Sequence, residues 1–128
     1  MYIIYNNDTR RIERIDTNAI IPDEGYTMIE KDITLEDDIC MKMDVYKVNE
    51  NEECYVDEEL VKEHNLNILR DKREPLLKAF DIYKSNLIVG AITLHEDEKQ
   101  KVITWYNLIL DLDEDAINNP PQVILRYL

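Results

Sequence analysis

Residues 57–80 read DEELVKEHNLNILRDKREPLLKAF, and this stretch decides the fold class. Its apolar residues recur at helical spacing, its first turn is acidic, as suits a helix N-terminus, and it lacks a run of β-branched residues. We therefore predict a helix that begins near residue 57. Because proline is tolerated in the first turn of a helix but disrupts its interior, Pro75 predicts a break near Arg73 and a second helix over about residues 75–86.

The second predicted helix carries a continuous apolar stripe. Four of its residues stand at positions i, i+4, i+7 and i+11, namely Leu76, Phe80, Tyr83 and Leu87. A stripe at this spacing favours a face that packs into the protein core. The apolar segment SNLIVGAI follows, and we predict that its Gly90 ends the helix or serves as a hinge.

The residues from Thr93 onward predict the last helix. Thr93 and Glu96 have capping-box spacing, in which each side chain hydrogen-bonds the backbone N–H of the other residue. Ile103 and Leu110 widen its apolar face beyond the needs of one neighbouring helix, so we expect one side of that face to meet a partner. We also expect six side chains to pack between the two helices, namely Leu76, Phe80, Tyr83, Trp105, Tyr106 and Ile109.

Upstream of residue 57 the apolar residues follow strand spacing. The runs MYIIY and RIERID flank a polar turn and predict a hairpin, and YTMIEKDI predicts a third strand. The runs MDVYKVNE and EECYV flank a second polar turn and predict a second hairpin. We therefore predict one small antiparallel sheet within residues 1–56.

Together these patterns predict an α+β protein, with a small N-terminal antiparallel β-sheet followed by a C-terminal α-helical hairpin. The β domain covers residues 1–56, and the helical region covers residues 57–128. Because so short a β domain has a thin core, we expect one face of its sheet to be covered by a helix or by another chain.

The charge balance limits the classes of partner. The chain has 28 acidic and 15 basic residues and a net charge of -13. Such a surface repels phosphate backbones and anionic lipid headgroups, so we predict that the protein binds neither nucleic acid nor membranes. No apolar stretch approaches the roughly 20 residues of a membrane span, and the N-terminus lacks the pattern of an export signal. We therefore expect the protein to work in the cytoplasm.

The segment DLDED resembles part of a calcium-binding loop. Asp111, Asp113 and Asp115 match the first half of a calcium-binding loop. Ala116 stands where that loop needs glycine, and Gln122 stands where it needs a bidentate glutamate. We therefore predict no calcium site here, and we expect two prolines, Pro120 and Pro121, to stop any further helix.

Candidate catalytic residues are equally sparse. HEDEK at residues 95–99 lacks the second histidine of a zinc protease motif, and His64 has no partner nearby in sequence. Cys40 and Cys54 have no neighbouring histidine, and two glycines are too few for a phosphate-binding loop. We therefore predict that the protein is not an enzyme and holds no metal or cofactor.

The C-terminal half, about residues 70–128, resembles a known family. The segments RDKREPLLKAFDIYKSNLIVG and EDEKQKVITWYNLILDLDEDAINNPPQVILRYL resemble the phage tail fibre assembly proteins and related small tail-region proteins of phages that infect Gram-positive bacteria. The resemblance rests on spaced residues, namely Arg73, Leu76, Leu77, Asp81, Trp105, Tyr106, Leu110, Asp111, Leu112 and Pro120 or Pro121. It implies a helper that binds fibre or baseplate chains and that either acts in the host cytoplasm or stays on the finished particle.

Three functions follow as hypotheses. The first is a chaperone-like tail fibre assembly factor, and the second is a structural baseplate or receptor-binding component of a phage tail or tail-like bacteriocin. The third is an acidic inhibitor that mimics DNA. The residues predicted to bind the partner are Leu76, Leu77, Phe80, Asp81, Tyr83, Trp105, Tyr106, Ile109, Leu110, Pro120 and Pro121. The sequence leaves the oligomeric state open.

Overall fold

The computed structural model describes residues 1–128 and shows a mixed α+β fold. The predicted fold class is confirmed, because antiparallel strands occupy the N-terminal part and helices the C-terminal part. The chain forms two compact units, Met1–His64 and Asn65–Leu128. We call them the N-terminal unit and the C-terminal unit and describe each by itself.

A three-stranded sheet forms the centre of the N-terminal unit. Its strands are β1 (Tyr2–Asn6), β2 (Ile12–Asp16) and β3 (Tyr26–Glu30), and β1 pairs antiparallel with both neighbours. The first predicted hairpin and the third strand are thus confirmed. Alternation along β1 places Ile3 and Tyr5 on the face that packs into the core.

The second predicted hairpin forms a sheet of its own. Strands β4 (Tyr46–Val48) and β5 (Cys54–Val56) form a separate two-stranded sheet, so the prediction of one continuous sheet is wrong. An isolated antiparallel bridge between Arg11 and Lys47 of β4 links it to the residues before β2. A short helix α1 (Asp38–Met41) and a 3₁₀ turn (Met43–Val45) lie between β3 and β4, and the 3₁₀ turn and β4 both contact β2.

Arg10 connects the two sheets of the N-terminal unit. Its Nε donates to the carbonyl of Val48 at 2.9 Å, and its Nη2 donates to the carbonyl of Asn49 at 2.6 Å. Its backbone carbonyl accepts from the N–H of Val48 at 2.9 Å. Arg10 thus bonds backbone groups at the end of β4, next to the isolated bridge between Arg11 and Lys47.

The long helix α2 (Glu58–Ile88) is continuous through Pro75. Its predicted start is confirmed, since Asp57 Oδ1 accepts the N–H of Leu60 at 3.1 Å as a helix cap. The predicted break near Arg73 is wrong. Pro75 has no N–H to donate to the carbonyl of Asp71, four residues earlier. Both residues are exposed, so water can bond that carbonyl instead. The buried residues that follow Pro75 hold the helix together through packing.

Gly90 follows the end of α2 in the left-handed conformation, with a φ of +77°, and so ends the helix as predicted. Helix α3 (Glu96–Leu110) begins three residues later than predicted. No side chain caps it, so the prediction of a capping box at Thr93 is wrong. Ile92 and Leu94 pack against the core of the C-terminal unit, which keeps this segment outside the helix. The acidic first turn of α3 still favours the helix N-terminus.

Two short helices, α4 (Glu114–Asn118) and α5 (Gln122–Leu125), follow α3. The prediction that Pro120 and Pro121 stop any further helix is therefore wrong. Pro121 occupies the N-cap position of α5, where the missing N–H of a proline costs nothing because the first N–H groups of a helix have no intrahelical acceptor.

Candidate partner-binding surface

The C-terminal unit is organised around one aromatic and aliphatic core. Leu76, Phe80, Tyr83, Trp105 and Ile109 are buried in one cluster with residues of α4 and α5, and Tyr106 packs against it from a partly buried position. The rings of Phe80 and Tyr106 stack with centroids 4.0 Å apart and an interplanar angle of 10°. The prediction that these six side chains pack between the two helices is confirmed.

Trp105 fixes the position of the segment that follows α3. Its indole Nε1 donates to the backbone carbonyl of Ala116 in α4 at 2.8 Å, and both groups are buried. This hydrogen bond satisfies the one polar atom of a buried tryptophan. Trp105 therefore holds α4 in place and is itself too buried to line a surface.

The segment DLDED forms the turn between α3 and α4. The N–H of Leu112 bonds the carbonyl of Ile109 at 3.1 Å, and the N–H of Asp113 bonds that of Leu108 at 3.0 Å. This is the Schellman pattern of a helix C-terminus, with Leu112 at a φ of +58° where glycine is usual.

Asp113 then caps the next helix. Its Oδ1 accepts the N–H of Ala116 at 2.9 Å at the start of α4. Asp115 accepts from the side-chain amide of Asn119 at 3.1 Å. No group of three or more histidine, cysteine, aspartate or glutamate side chains is placed to hold a metal ion. Hydrogen bonds within the turn and α4 thus account for Asp113 and Asp115.

Arg73 binds the C-terminal end of α3. Its Nη1 donates to the carbonyl of Leu110 at 3.0 Å and, at 3.4 Å, to that of Ile109. A guanidinium at this position complements the partial negative charge of the helix end. Arg73 Nε is buried without a hydrogen-bond partner. Sequence reasoning reached Arg73 through the family resemblance alone, because a capping contact between distant residues leaves no periodic signal.

The predicted partner-binding residues divide by exposure. Leu76, Phe80, Tyr83, Trp105 and Ile109 are buried, whereas Leu77, Tyr106, Pro120 and Pro121 are partly exposed, and Asp81 and Leu110 are exposed. The structure therefore brings seven of the eleven predicted residues together in or against one core, whereas Asp81, Leu110, Pro120 and Pro121 are not part of it. About half of the eleven are accessible to another molecule.

The accessible members on α2 and α3 define a surface that we call the helix-pair surface. It consists of Leu77 and Asp81 of α2 with Ile103, Tyr106 and Leu110 of α3. Within each helix these residues are three, four or seven positions apart and share a face. The Phe80–Tyr106 ring stack joins the two helices at this place. Ile103 and Leu110 are each 44% exposed, so both apolar side chains are accessible on this surface.

The N-terminal unit offers a different surface. Residues 1–64 carry 18 acidic and 7 basic side chains, whereas residues 65–128 carry 10 and 8. A groove of about 380 Å³ lies between the segment after β3 and the β4–β5 hairpin. Its lining residues are Lys31, Ile33, Asp37, Asp38, Ile39, Tyr46, Glu53 and Cys54. The strand patterns gave no indication of this groove, because non-periodic segments form half of its wall.

Burial raises the pKa of two groups in this groove, Cys54 and Tyr46. Burial raises the pKa of the Cys54 thiol, and Lys31 only partly opposes this effect, so the thiolate is scarce at neutral pH. Burial, followed by the charges of Asp38 and Cys54, raises the pKa of Tyr46. His64 pairs with Asp44 elsewhere in the N-terminal unit.

Comparisons with family models, with characterised proteins and with solved structures found no match to this chain. None of the helices combines the length and the apolar character needed to cross a bilayer.

Proposed function

We propose that the protein is a tail fibre assembly factor of a phage or prophage, a chaperone-like protein that binds fibre or baseplate chains in the bacterial cytoplasm. The observation that supports this proposal is the helix-pair surface, which exposes large apolar side chains on a packed scaffold. It also uses residues by which the C-terminal half resembles tail fibre assembly proteins, among them Leu77, Asp81, Tyr106 and Leu110.

The helix-pair surface suits the temporary binding of an apolar segment. Tyr106 is backed by the buried Phe80, so a partner meets an aromatic side chain whose position is already fixed and little conformational entropy is lost on binding. Leu110 and Ile103 extend the apolar contact, and Asp81 provides a polar boundary. The net charge of -13 keeps a complex with an aggregation-prone fibre chain in solution.

Co-expression tests this proposal. The fibre chain encoded by the phage or prophage that carries this gene is produced with and without the protein, and its soluble fraction and trimer content are measured by centrifugation and native gel. We expect both to rise several-fold in the presence of the protein. Unchanged fibre solubility and trimerisation would exclude the chaperone role.

A matched pair of variants on α3 tests the surface. Leu110 and Leu108 are similarly exposed, at 44% and 41%, but two residues of separation places them on nearly opposite sides of the helix. We expect Leu110→Gln to reduce fibre rescue substantially, and Leu108→Gln to retain it. Equal effects of the two substitutions would assign the activity to another surface.

A structural component of the baseplate is the second candidate. It is supported by two unpaired strand edges, since β3 ends the three-stranded sheet and β5 ends the two-stranded sheet. Exposed edges can pair with a strand of a neighbouring subunit. Mass spectrometry of purified particles distinguishes the candidates, because a structural component is present in a fixed stoichiometry and an assembly factor that acts transiently is absent.

The acidic inhibitor remains a third candidate. The concentration of acidic residues in the N-terminal unit supports it, because proteins that mimic DNA present negative charge to the nucleic-acid site of their target. Co-purification of the tagged protein from host cells tests it. A DNA-binding protein that is recovered and is displaced by duplex DNA would support the inhibitor, and recovery of tail proteins alone would exclude it.

A further inference from the structure

The groove of the N-terminal unit combines an apolar floor with an acidic rim. Its floor is formed by Ile33, Ile39, Tyr46 and Cys54, all partly or fully buried. Its volume of about 380 Å³ is at the lower end of the range for ligand pockets, which are mostly apolar with a few polar groups at the margin. The groove can therefore admit one large apolar side chain.

The rim carries an excess of negative charge. Asp37, Asp38 and Glu53 line the groove with one lysine, Lys31. Asp38 and Glu53 are exposed and take part in no ion pair of the protein, so their charges are available to a bound molecule. The surrounding unit adds to this potential, with 18 acidic side chains against 7 basic ones.

We infer that this groove binds a segment of a partner protein in which basic residues flank one apolar side chain. The apolar side chain enters the floor between Ile39 and Tyr46, and the flanking cations lie beside Asp38 and Glu53. Charge complementarity selects this occupant, because an acidic or neutral segment would meet an uncompensated negative rim. The inference is independent of the helix-pair surface, which belongs to the other unit.

Binding is tested with the full-length protein and a short dye-labelled peptide that has a central leucine flanked by arginines. Fluorescence anisotropy should give saturable binding that weakens as salt is added, because salt screens the rim charges. Two comparison peptides replace the leucine by serine or the arginines by glutamates. We expect the serine peptide to bind at least about tenfold more weakly, since a tenfold change needs only about 1.4 kcal/mol, and the glutamate peptide not to bind.

Two double variants separate the groove from the general charge of the unit. Asp38→Asn with Glu53→Gln removes two rim carboxylates, whereas Asp8→Asn with Glu24→Gln removes two exposed carboxylates outside the groove lining. The first pair should weaken peptide binding roughly fivefold to tenfold, and the second less than about twofold. Circular dichroism checks that all variants keep the fold.

The inference fails under any of three results. These are equal binding of the serine and leucine peptides, equal weakening by the two double variants, and no binding of the leucine peptide. The first two results would show diffuse electrostatic attraction. Backbone amide shifts in the NMR spectrum add a direct test, because the resonances of Ile39 and Cys54 should move on titration while those of the C-terminal unit stay in place.

Discussion

The N-terminal and C-terminal units have the same length but differ in core and charge. The core cluster of the C-terminal unit contains ten buried residues, and that of the N-terminal unit contains six. The C-terminal unit is nearly neutral, with 10 acidic and 8 basic side chains, whereas the N-terminal unit carries 18 and 7. Apolar burial therefore dominates the stability of the C-terminal unit. The N-terminal unit relies more on backbone pairing and on polar contacts such as those of Arg10.

This difference assigns different binding chemistry to the two units. Exposed apolar side chains of a nearly neutral unit favour contact with the apolar segment of a partner. An acidic unit repels other acidic chains and favours basic ones. The two proposed binding surfaces therefore lie on different units and differ in the chemistry of the segment proposed for each.

The largest predicted effect comes from shortening the same residue type in each core. Ile109 and Ile3 are both fully buried, at 0% exposure. We expect Ile109→Ala to destabilise the C-terminal unit by about 2–5 kcal/mol. Denaturant unfolding followed by the fluorescence of Trp105, the only tryptophan, measures this effect, because Trp105 lies in the same cluster.

Ile3→Ala is the matched variant for the N-terminal unit. Its main effect should be a loss of amide hydrogen-exchange protection in β1, β2 and β3, with a much smaller shift of the Trp105 transition. An equal shift of that transition in both variants would show that the two units unfold as one cooperative body, and the comparison of separate cores would then no longer hold.

Local periodicity predicted the elements whose signal lies within a few residues. The alternation in MYIIY and the stripe of Leu76, Phe80 and Tyr83 gave β1 and the buried face of α2. The same reasoning failed where a tertiary contact overrides a local preference. Packing on both sides of Pro75 keeps α2 continuous, and burial of Leu94 removes the capping box at Thr93.

The candidate surfaces were predictable to different degrees. The helix-pair surface follows from the apolar width of α3, because Ile103 and Leu110 lie beside the stripe that the core requires. The groove between β3 and β4 was not predictable, because its lining joins residues 31–39, which end in the short helix α1, with hairpin residues that are seven to 23 positions away. Such a juxtaposition depends on the folded chain and leaves no repeat in the sequence.

A smaller effect is expected at the start of α2, where charge stabilises the acidic unit. The N–H of Leu60, and then Lys47, hold the pKa of Asp57 below its ordinary value. Because the folded pKa is lowered, this contribution is present above the ordinary aspartate pKa of about 3.9. It is lost as the pH falls through the folded pKa.

Two substitutions of Asp57 separate its cap from its charge. Asp57→Ala should lower the thermal midpoint of the N-terminal unit at neutral pH, by less than Ile3→Ala does. Asp57→Asn keeps a capping acceptor and should flatten the loss of stability below about pH 4. Thermal unfolding monitored by circular dichroism across this pH range checks both. An unchanged acid profile in Asp57→Asn would remove Asp57 as a source of the pH dependence.

The smallest effect concerns Leu112, which holds the left-handed conformation at the turn from α3 to α4. Leu112→Ala and Leu112→Gly remove nearly the same side chain, but only glycine relieves the contact of Cβ with the backbone. We expect the glycine variant to be more stable than the alanine variant by about 1 kcal/mol, measured by denaturant unfolding with Trp105 fluorescence. Asn107, an exposed position inside α3, provides the control. There we expect Asn107→Ala to be more stable than Asn107→Gly by about 1 kcal/mol, because alanine stabilises a helix interior more than glycine does. If alanine were the more stable residue at both positions, the strain at Leu112 would be negligible, and the C-terminal unit would owe its stability to burial with no local backbone cost.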